Sequence, residues 1–389
     1  MDHIILQDVE EVGALLDITL LMSHLEKVED KRQKRGKRFT FPQLLTLTLL
    51  AKLAGEDKPS GIAQWVKLRR RGLARLFQLH KKKVPSLNTL RRALEACDPE
   101  QLQRAYLQFL HQVHGGQQSL VVSIDGKAMR GTIPKGQTQG VHLLAAYLPA
   151  EGIVLMQIAV DKKENEISAA PRLLSALDLK GRVVCGDAMF TQRALSVQIL
   201  AQGGDYIWFV KDNQPTLRAD VERFFEPVRR VAGWHHPELP QETTHQVDKA
   251  HQRIEKRTLI LMPDETGYLN WPGVQQVFKI VREAVCLTTG KTRSETVYGI
   301  TSLTTDKTSA ARLLDDIRSY WGIENGLHHR RDVTFYEDAL HTSIPKLAET
   351  MSVFNNFIIG LARKLGIDNL AFARRLFDAS ITQAFIPSD

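Results

Sequence analysis

The sequence predicts an α/β protein: a helical, basic N-terminal region, then a mixed sheet with helices packed on its faces, then a helical C-terminal part. Three observations predict it. Residues 1–115 place apolar side chains at helical spacing. Beyond Gly115-Gly116, runs of β-formers alternate with amphipathic helical patterns, the order expected of a sheet layered with helices. From about residue 306 the helical pattern returns.

PQLLTLTLLAKLAG (42–55) has the apolar stripe and terminal Gly of a short buried helix. IAQWVKLRRRGLARLF (62–77) is apolar at Ile62, Trp65, Val66 and Leu73 and basic elsewhere. VPSLNTLRRALEACD (84–98) opens on a Pro-Ser cap signal and carries Arg91 and Arg92 on an early turn. Short basic helices joined by tight turns fit a helix-turn-helix-like DNA-binding unit and, equally, a helical bundle with a basic surface. SLVVSIDGK (119–127) then reads as a strand, and 141–161 as two apolar strands joined at Pro149–Gly152, which completes a three-strand meander. Helix and strand alternate over 166–181, 182–190, 191–204 and 205–214. The block 215–300 is less regular and holds a hairpin of VFKIVREAVCL and SETVYGITSL around TTGKT. The expected organisation is 1–115, 116–214, 215–300 and 301–389.

The 389 residues carry 52 Lys and Arg against 44 Asp and Glu, a net charge of +8. A basic surplus speaks for a polyanionic partner. Six of the eight residues in Lys31–Arg38 are basic, and WVKLRRRGLARLF (65–77) and HKKK (80–83) follow. No apolar run approaches the roughly 20 residues of a membrane span, and the acidic start lacks the features of a signal peptide. Three scattered cysteines (Cys97, Cys185, Cys286) argue against a disulfide framework and against a cysteine-rich zinc site. A cytoplasmic protein without membrane contact is expected.

Two aspartates stand out. Asp125 follows the β-formers SLVVSI, and Asp187 follows VVC and Gly186. Each alone reads as a turn or cap residue. Two strand-end carboxylates on neighbouring strands would repel each other unless a cation sat between them, and hard oxygen ligands select Mg²⁺ or Mn²⁺. A third carboxylate, on a helix facing the strand ends, would complete such a set. In WGIENGLHHRRDVTFYEDA (321–339), Glu324, His328 and Arg331 fall at i, i+4 and i+7 of a helix, on one face. An intrahelical ion pair is the bland alternative.

Eight segments in order make the chain resemble DDE transposases of the ISAs-one insertion-sequence family, the H-repeat-associated proteins: VPSLNTLRRAL, SIDGKAMRGT, NEISAAPRLLSALDLKG, GDAMFTQRAL, GGDYIWFVKDNQPTL, HQRIEKR, YGITSL and WGIENGLHHRRDVTFYEDA. They span roughly residues 40 to 340. The resemblance implies a ribonuclease H-like mixed sheet flanked by helices, a helical N-terminal DNA-binding region, and a β-rich insertion before the third acidic residue. It implies a catalytic and metal-binding triad of Asp125, Asp187 and Glu324 with two Mg²⁺ or Mn²⁺ ions, and strand cleavage and strand transfer at terminal inverted repeats. The implied partner is double-stranded DNA, both transposon ends and target, held by a homodimer or higher multimer.

DNA contacts are expected at Lys127 and Arg130, which follow the first Asp, and at Lys211, Asn213 and Gln214 at a strand end. His251, Arg253 and Arg257 are expected on one strand face. Trp321, Asn325, His328 and Arg331 flank Glu324, with Arg331 at the family's basic position seven residues later; Arg330 with Arg331 would add phosphate contact. Asp332, Glu337 and Asp338 are expected to order these basic neighbours. The chain departs from the family's usual residues at Phe190 (usually His), Gln252 (usually Gly) and His329–Arg331 (aromatic, then mostly apolar). A catalytically inactive DNA-binding descendant, and a nuclease without strand transfer, are the alternative readings.

Overall fold

The computed structural model describes residues 3–5, 15–33, 37–114, 120–161, 163–226, 240–250 and 252–383. Two short strands, β1 (His3–Ile5) and β2 (Leu15–Asp17), pair antiparallel ahead of six helices. These are α1 (Ile18–Leu25), α2 (Phe41–Leu53), α3 (Pro59–Leu68), α4 (Arg70–Leu76), α5 (Leu87–Ala96) and α6 (Pro99–His114). The caps follow the sequence signals. Thr40 and Gln43 form a reciprocal capping box at α2. The Ser86 hydroxyl accepts the Thr89 N–H at 3.3 Å at the start of α5.

The sheet strands come next: β3 (Val121–Met129), β4 (Val141–Leu148), β5 (Ile153–Val160), β6 (Val183–Gly186), β7 (Asp205–Val210), β8 (Glu242–Ala250), β9 (Arg253–Pro263), β10 (Gln276–Cys286) and β11 (Thr292–Thr301). Between and after them run α7 (Glu166–Ser175), α8 (Arg193–Ala201), α9 (Pro215–Phe224), α10 (Ala310–Tyr320), α11 (His329–Val333), α12 (Pro345–Lys364) and α13 (Leu370–Gln383). The nine strands lie in the order β5-β4-β3-β6-β7-β11-β10-β9-β8. β4 and β5 are antiparallel, whereas β3, β6 and β7 run parallel. This meander followed by two parallel strands is the ribonuclease H-like sheet that the resemblance implied. The β-rich block continues the same sheet, because β11 pairs antiparallel with β7 over Tyr298↔Val210 to Thr301↔Ile207.

The chain divides into two compact units that cut across the four expected segments. One comprises 1–118, 126–165 and 324–389. Its core is α6 and α12 against β5, where Tyr106 stacks on Phe357 at 4.2 Å and the Gln103 amide donates to the Val154 carbonyl at 2.9 Å. The other comprises 119–125 and 166–323. There Trp208 and Trp271 both donate their indole N–H to the buried Ser196 hydroxyl at 3.0 Å, which fixes α8 to the sheet.

α10 packs on β6 in that unit, and its Leu313, Leu314, Ile317 and Tyr320 are buried. Asp316 shares this environment. Burial raises its carboxyl to about 6, Arg312 opposing and Asp315 adding to the shift. A folded value above the unfolded one means the folded state holds the proton more tightly. Stability therefore falls as pH rises from about 4 to about 6 and is level above that. Asp316→Asn should remove this slope and raise stability at pH 7 by roughly 2–3 kcal/mol, at about 1.4 kcal/mol per pKa unit. Denaturant midpoints at pH 4 and pH 7 check both effects.

Candidate active site

Parallel pairing places Ile124 of β3 opposite Gly186, the last residue of β6, so Asp125, within β3, and Asp187, just beyond β6, each directly follow the last pair between these strands. Asp187 stands at a strand end as expected, but Asp125 does not: β3 continues past it to Met129, and only the pairing with β6 stops there. Each residue is half-buried. The Lys211 ammonium, just past β7, lies 3.0 Å from an Asp187 oxygen.

The backbone after Asp187 is tightly specified. Asp187 opens a 3₁₀ turn, Ala188–Phe190, closed by the Phe190 N–H bonding the Asp187 carbonyl at 2.9 Å. Phe190 is fully buried. A Cβ on Gly186 would come within 2.8 Å of the Phe190 ring and 2.9 Å of Ile124, so glycine is what lets the ring close under the strand ends. The Phe190 departure is thus a core residue beneath the aspartate pair. Asn213 and Gln214 donate to the carbonyls of Ala188 and Thr191 at 2.8 and 2.9 Å. These bonds hold the Asp187 turn, while Asn213 keeps an exposed side chain.

Glu324 begins a π-helical turn, Glu324–His328, that leads into α11. Both Glu324 and Asn325 are exposed, and His328 is half-buried. Gly326 allows close approach of β4: a Cβ there would sit 2.5 Å from the Tyr147 hydroxyl. A π turn holds one extra residue, which rotates α11 by about 100° relative to a regular helix. The expected single face of Glu324, His328 and Arg331 is broken accordingly.

Arg331 is fully buried, not on DNA. Its Nε donates to Glu337 Oε2 at 2.8 Å, Nη2 lies 2.7 Å from the same oxygen, and Nη1 donates to Gln157 Oε1 at 2.9 Å. Asn355 and Asn356 of α12 donate to Glu337 and Gln157 at 3.0 and 3.1 Å. The basic residue seven positions after Glu324 is therefore an internal tie, because a buried guanidinium is stable only with its donors matched.

Other residues expected at DNA also have partners within the protein. Lys127 is 9% exposed, with its ammonium 2.6 and 2.7 Å from both oxygens of Asp332. Arg257 bridges Asp248 at 2.5 Å and Glu255, with its side chain only 12% exposed. Glu255, on the same strand face as Arg253 and Arg257, takes both: Arg253 lies 3.4 Å from it. Trp321 is covered by the Arg282 guanidinium, 3.4 Å from the ring centre. Arg130 keeps an exposed side chain while its backbone N–H donates to Asp338 at 3.0 Å. Of the three acids expected to order the basic residues beside Glu324, Glu337 pairs with Arg331, whereas Asp332 and Asp338 engage Lys127 of β3 and the Arg130 backbone just after it. His251 lies outside the described residues. Gln252, beside it, turns the β8–β9 hairpin at φ 57°, a left-handed conformation that favours glycine.

Residues 116–359 match the family described as transposase DDE domain, and residues 22–110 match one described as DDE_Tnp_1-associated. The chain belongs to the DDE transposase family. It is 28% identical to YbfL of Escherichia coli K12 over 382 residues, covering 96% of this chain and 98% of that protein. It is 27% identical to the H repeat-associated YhhI of the same strain over 383 residues, with the same coverage of 96% and 98%. An uncharacterized protein in the dhlA 3′ region of Xanthobacter autotrophicus is 32% identical over 257 residues, 65% of this chain and 84% of that one. Among solved structures, a piggyBac transposase synaptic complex with hairpin DNA aligns with TM-score 0.45 and 11% identity, over 98% of this chain and 79% of that chain.

This DDE transposase has no group of three or more His, Cys, Asp or Glu gathered as a metal cage among the described residues. The aspartate pair nonetheless fits a divalent cation chemically. Two hard carboxylates each follow the last pair of two adjacent parallel strands, and the exposed Lys211 ammonium lies 3.0 Å from Asp187.

Phe190→Ala should destabilise the protein by about 3–5 kcal/mol through the cavity under Asp125 and Asp187, read as a lowered denaturant midpoint. Arg331→Met should cost about 3–5 kcal/mol by stranding the Glu337 carboxylate. The double variant Arg331→Met/Glu337→Leu should recover part of that loss, as a double-mutant cycle would show.

Proposed function

We propose that this transposase cleaves and joins DNA strands at the terminal inverted repeats of an insertion sequence, with Asp125, Asp187 and Glu324 as its catalytic acids. The observation that carries the reading is that Asp125 and Asp187 each directly follow the last pair between the adjacent parallel strands β3 and β6, in a chain of the DDE family. The three carboxylates would hold two Mg²⁺ or Mn²⁺ ions. When bound, those ions supply Lewis-acid activation of water or a DNA 3′-hydroxyl and stabilise charge on the leaving oxygen.

The chain's own groups act around that chemistry. Asp125 and Asp187 present negative charge next to the last β3–β6 pair, Ile124 and Gly186, whose ladder holds the two backbones together. Asn213 and Gln214 hold the Asp187 turn through its carbonyls. Lys211 screens Asp187 from the side and, with its side chain half-exposed, can take a DNA phosphate instead. Arg130 and Asn325 are exposed, close in sequence to the proposed acids, and are assigned to the DNA backbone. Residues 1–115 serve as the DNA-binding region, and a homodimer or higher multimer holds the paired ends.

The test uses the purified protein and a duplex carrying the inverted repeats that flank its coding region, with Mg²⁺ or Mn²⁺. The wild type should nick at the repeat ends and join precleaved ends to target DNA. Asp125→Asn and Asp187→Asn should each lower the cleavage rate about a thousandfold or more, the worth of several kcal/mol of charge stabilisation. Both variants should bind the duplex as the wild type does. Undiminished cutting by either variant would falsify the assignment.

A further inference from the structure

The net charge of the protein is concentrated in one stretch. Residues 58–94 hold eleven of the 52 Lys and Arg and none of the 44 Asp and Glu, so the rest of the chain is slightly acidic, 41 against 44. Among the described residues only Arg69 and Arg91 of these eleven pair with a carboxylate, Asp378 and Glu95. Lys67, Arg70, Arg71, Arg75 and Lys81–Lys83 are exposed. Seven cations held together without counter-charge repel one another, and a polyanion relieves that repulsion.

The backbone presents this charge in a fixed form. α3 and α4 meet at Arg69, whose guanidinium lies 4.6 Å from the Trp65 ring centre and donates to Asp378 of α13 at 3.0 Å. The corner therefore does not depend on a ligand for its shape. At its tip, Leu68 is 81% exposed, the most exposed large hydrophobic residue described, with Lys67, Arg70 and Arg71 around it in sequence. After α4 the chain enters a second unusual conformation. Gln78, Lys81 and Lys82 have φ of 50°, 52° and 50°, left-handed values that non-glycine residues adopt only at a cost. The Leu79 N–H bonds the Ala74 carbonyl at 2.9 Å and ties this turn to α4. Strain held by surrounding structure is a mark of functional backbone, and here it displays three consecutive lysines.

The apolar and aromatic content decides the kind of polyanion. A single-strand platform needs exposed rings on which bases stack, but Trp65 and Phe77 are buried at 3% and 7% exposure. A membrane-surface helix needs an apolar stripe, whereas the corner offers one aliphatic side chain. Cations on the phosphates with one aliphatic side chain entering a base step is the pattern of duplex binders that kink the minor groove.

We propose that the α3–α4 corner and the Lys81–Lys83 turn form a docking face for duplex DNA. Lys67, Arg70, Arg71 and Lys81–Lys83 hold phosphates, and Leu68 enters the minor groove as a wedge. The inference rests on the DNA activity proposed above and assigns to it a surface.

The full-length protein is titrated with a labelled 40-base-pair duplex bearing a repeat end and internal 2-aminopurine, across a range of NaCl. Arg70→Gln/Arg71→Gln and Lys81→Gln/Lys82→Gln/Lys83→Gln should each flatten the slope of log K against log[salt], by about 0.9 for every phosphate no longer neutralised. Leu68→Ala should keep the wild-type slope, bind more weakly at every salt concentration, and lose the 2-aminopurine fluorescence rise that marks unstacking. Wild-type slopes in both charge variants, or a wild-type fluorescence rise in Leu68→Ala, overturn this face while leaving metal-dependent cutting intact. A wild type that neither binds nor cuts the duplex overturns the proposed function as well.

Discussion

The buried ion pair between Arg331 and Glu337 is the interaction on which the Glu324 segment depends. Neither side chain reaches solvent, so each charge is stable only while the other is in place. The pair is embedded further: Gln157 of β5 accepts from Arg331, and Asn355 and Asn356 of α12 close the network. Strand, π turn and long helix are thereby referred to one another. Lys127 and Asp332 add a second tie, binding the end of β3 to α11. A carboxylate that must be presented to solvent at a fixed place needs such an anchor. The energy comes from groups that themselves never meet the substrate.

The aspartate pair is positioned by a different kind of constraint. The parallel ladder of β3 and β6 ends at Ile124 and Gly186, and each aspartate is the next residue of its chain segment. The local sequence supports this geometry from below. Gly186 removes a Cβ, Phe190 fills the space, and the amides of Asn213 and Gln214 satisfy the carbonyls of the turn. The departure at Phe190 strengthens the floor of the site in apolar terms, and it leaves both carboxylates in place.

Charge is divided between these two tasks. Near the proposed acids in the fold or the sequence, basic side chains are matched to carboxylates, as with Lys127, Lys211 and Arg331. In residues 58–94 nearly none is, among the described residues. Matched charge fixes geometry locally and adds little long-range field, whereas unmatched charge acts over about a Debye length, near 8–10 Å at ordinary salt. The first arrangement suits a catalytic frame and the second suits capture of a polyanion.

By itself, the sequence determined the secondary structure of the meander, the strand-end placement of Asp187, the helical N-terminal region and the family, while β3 runs on through Asp125, where the Asp-Gly pair suggested a turn. Those features live in short patterns: β-former runs, capping residues, and motifs in order. Tertiary structure decided what the charged side chains do. The phase of Arg331 was unreadable because a π turn breaks the regular helical count. The fate of Lys127 was unreadable because its partner Asp332 lies 205 residues away. Glu255 stood in view between Arg253 and Arg257, yet only the folded strand face shows that it neutralises both. Exposure and ion pairing are properties of neighbours distant in sequence, and for that physical reason a basic residue beside a catalytic motif could be located from the sequence but not assigned.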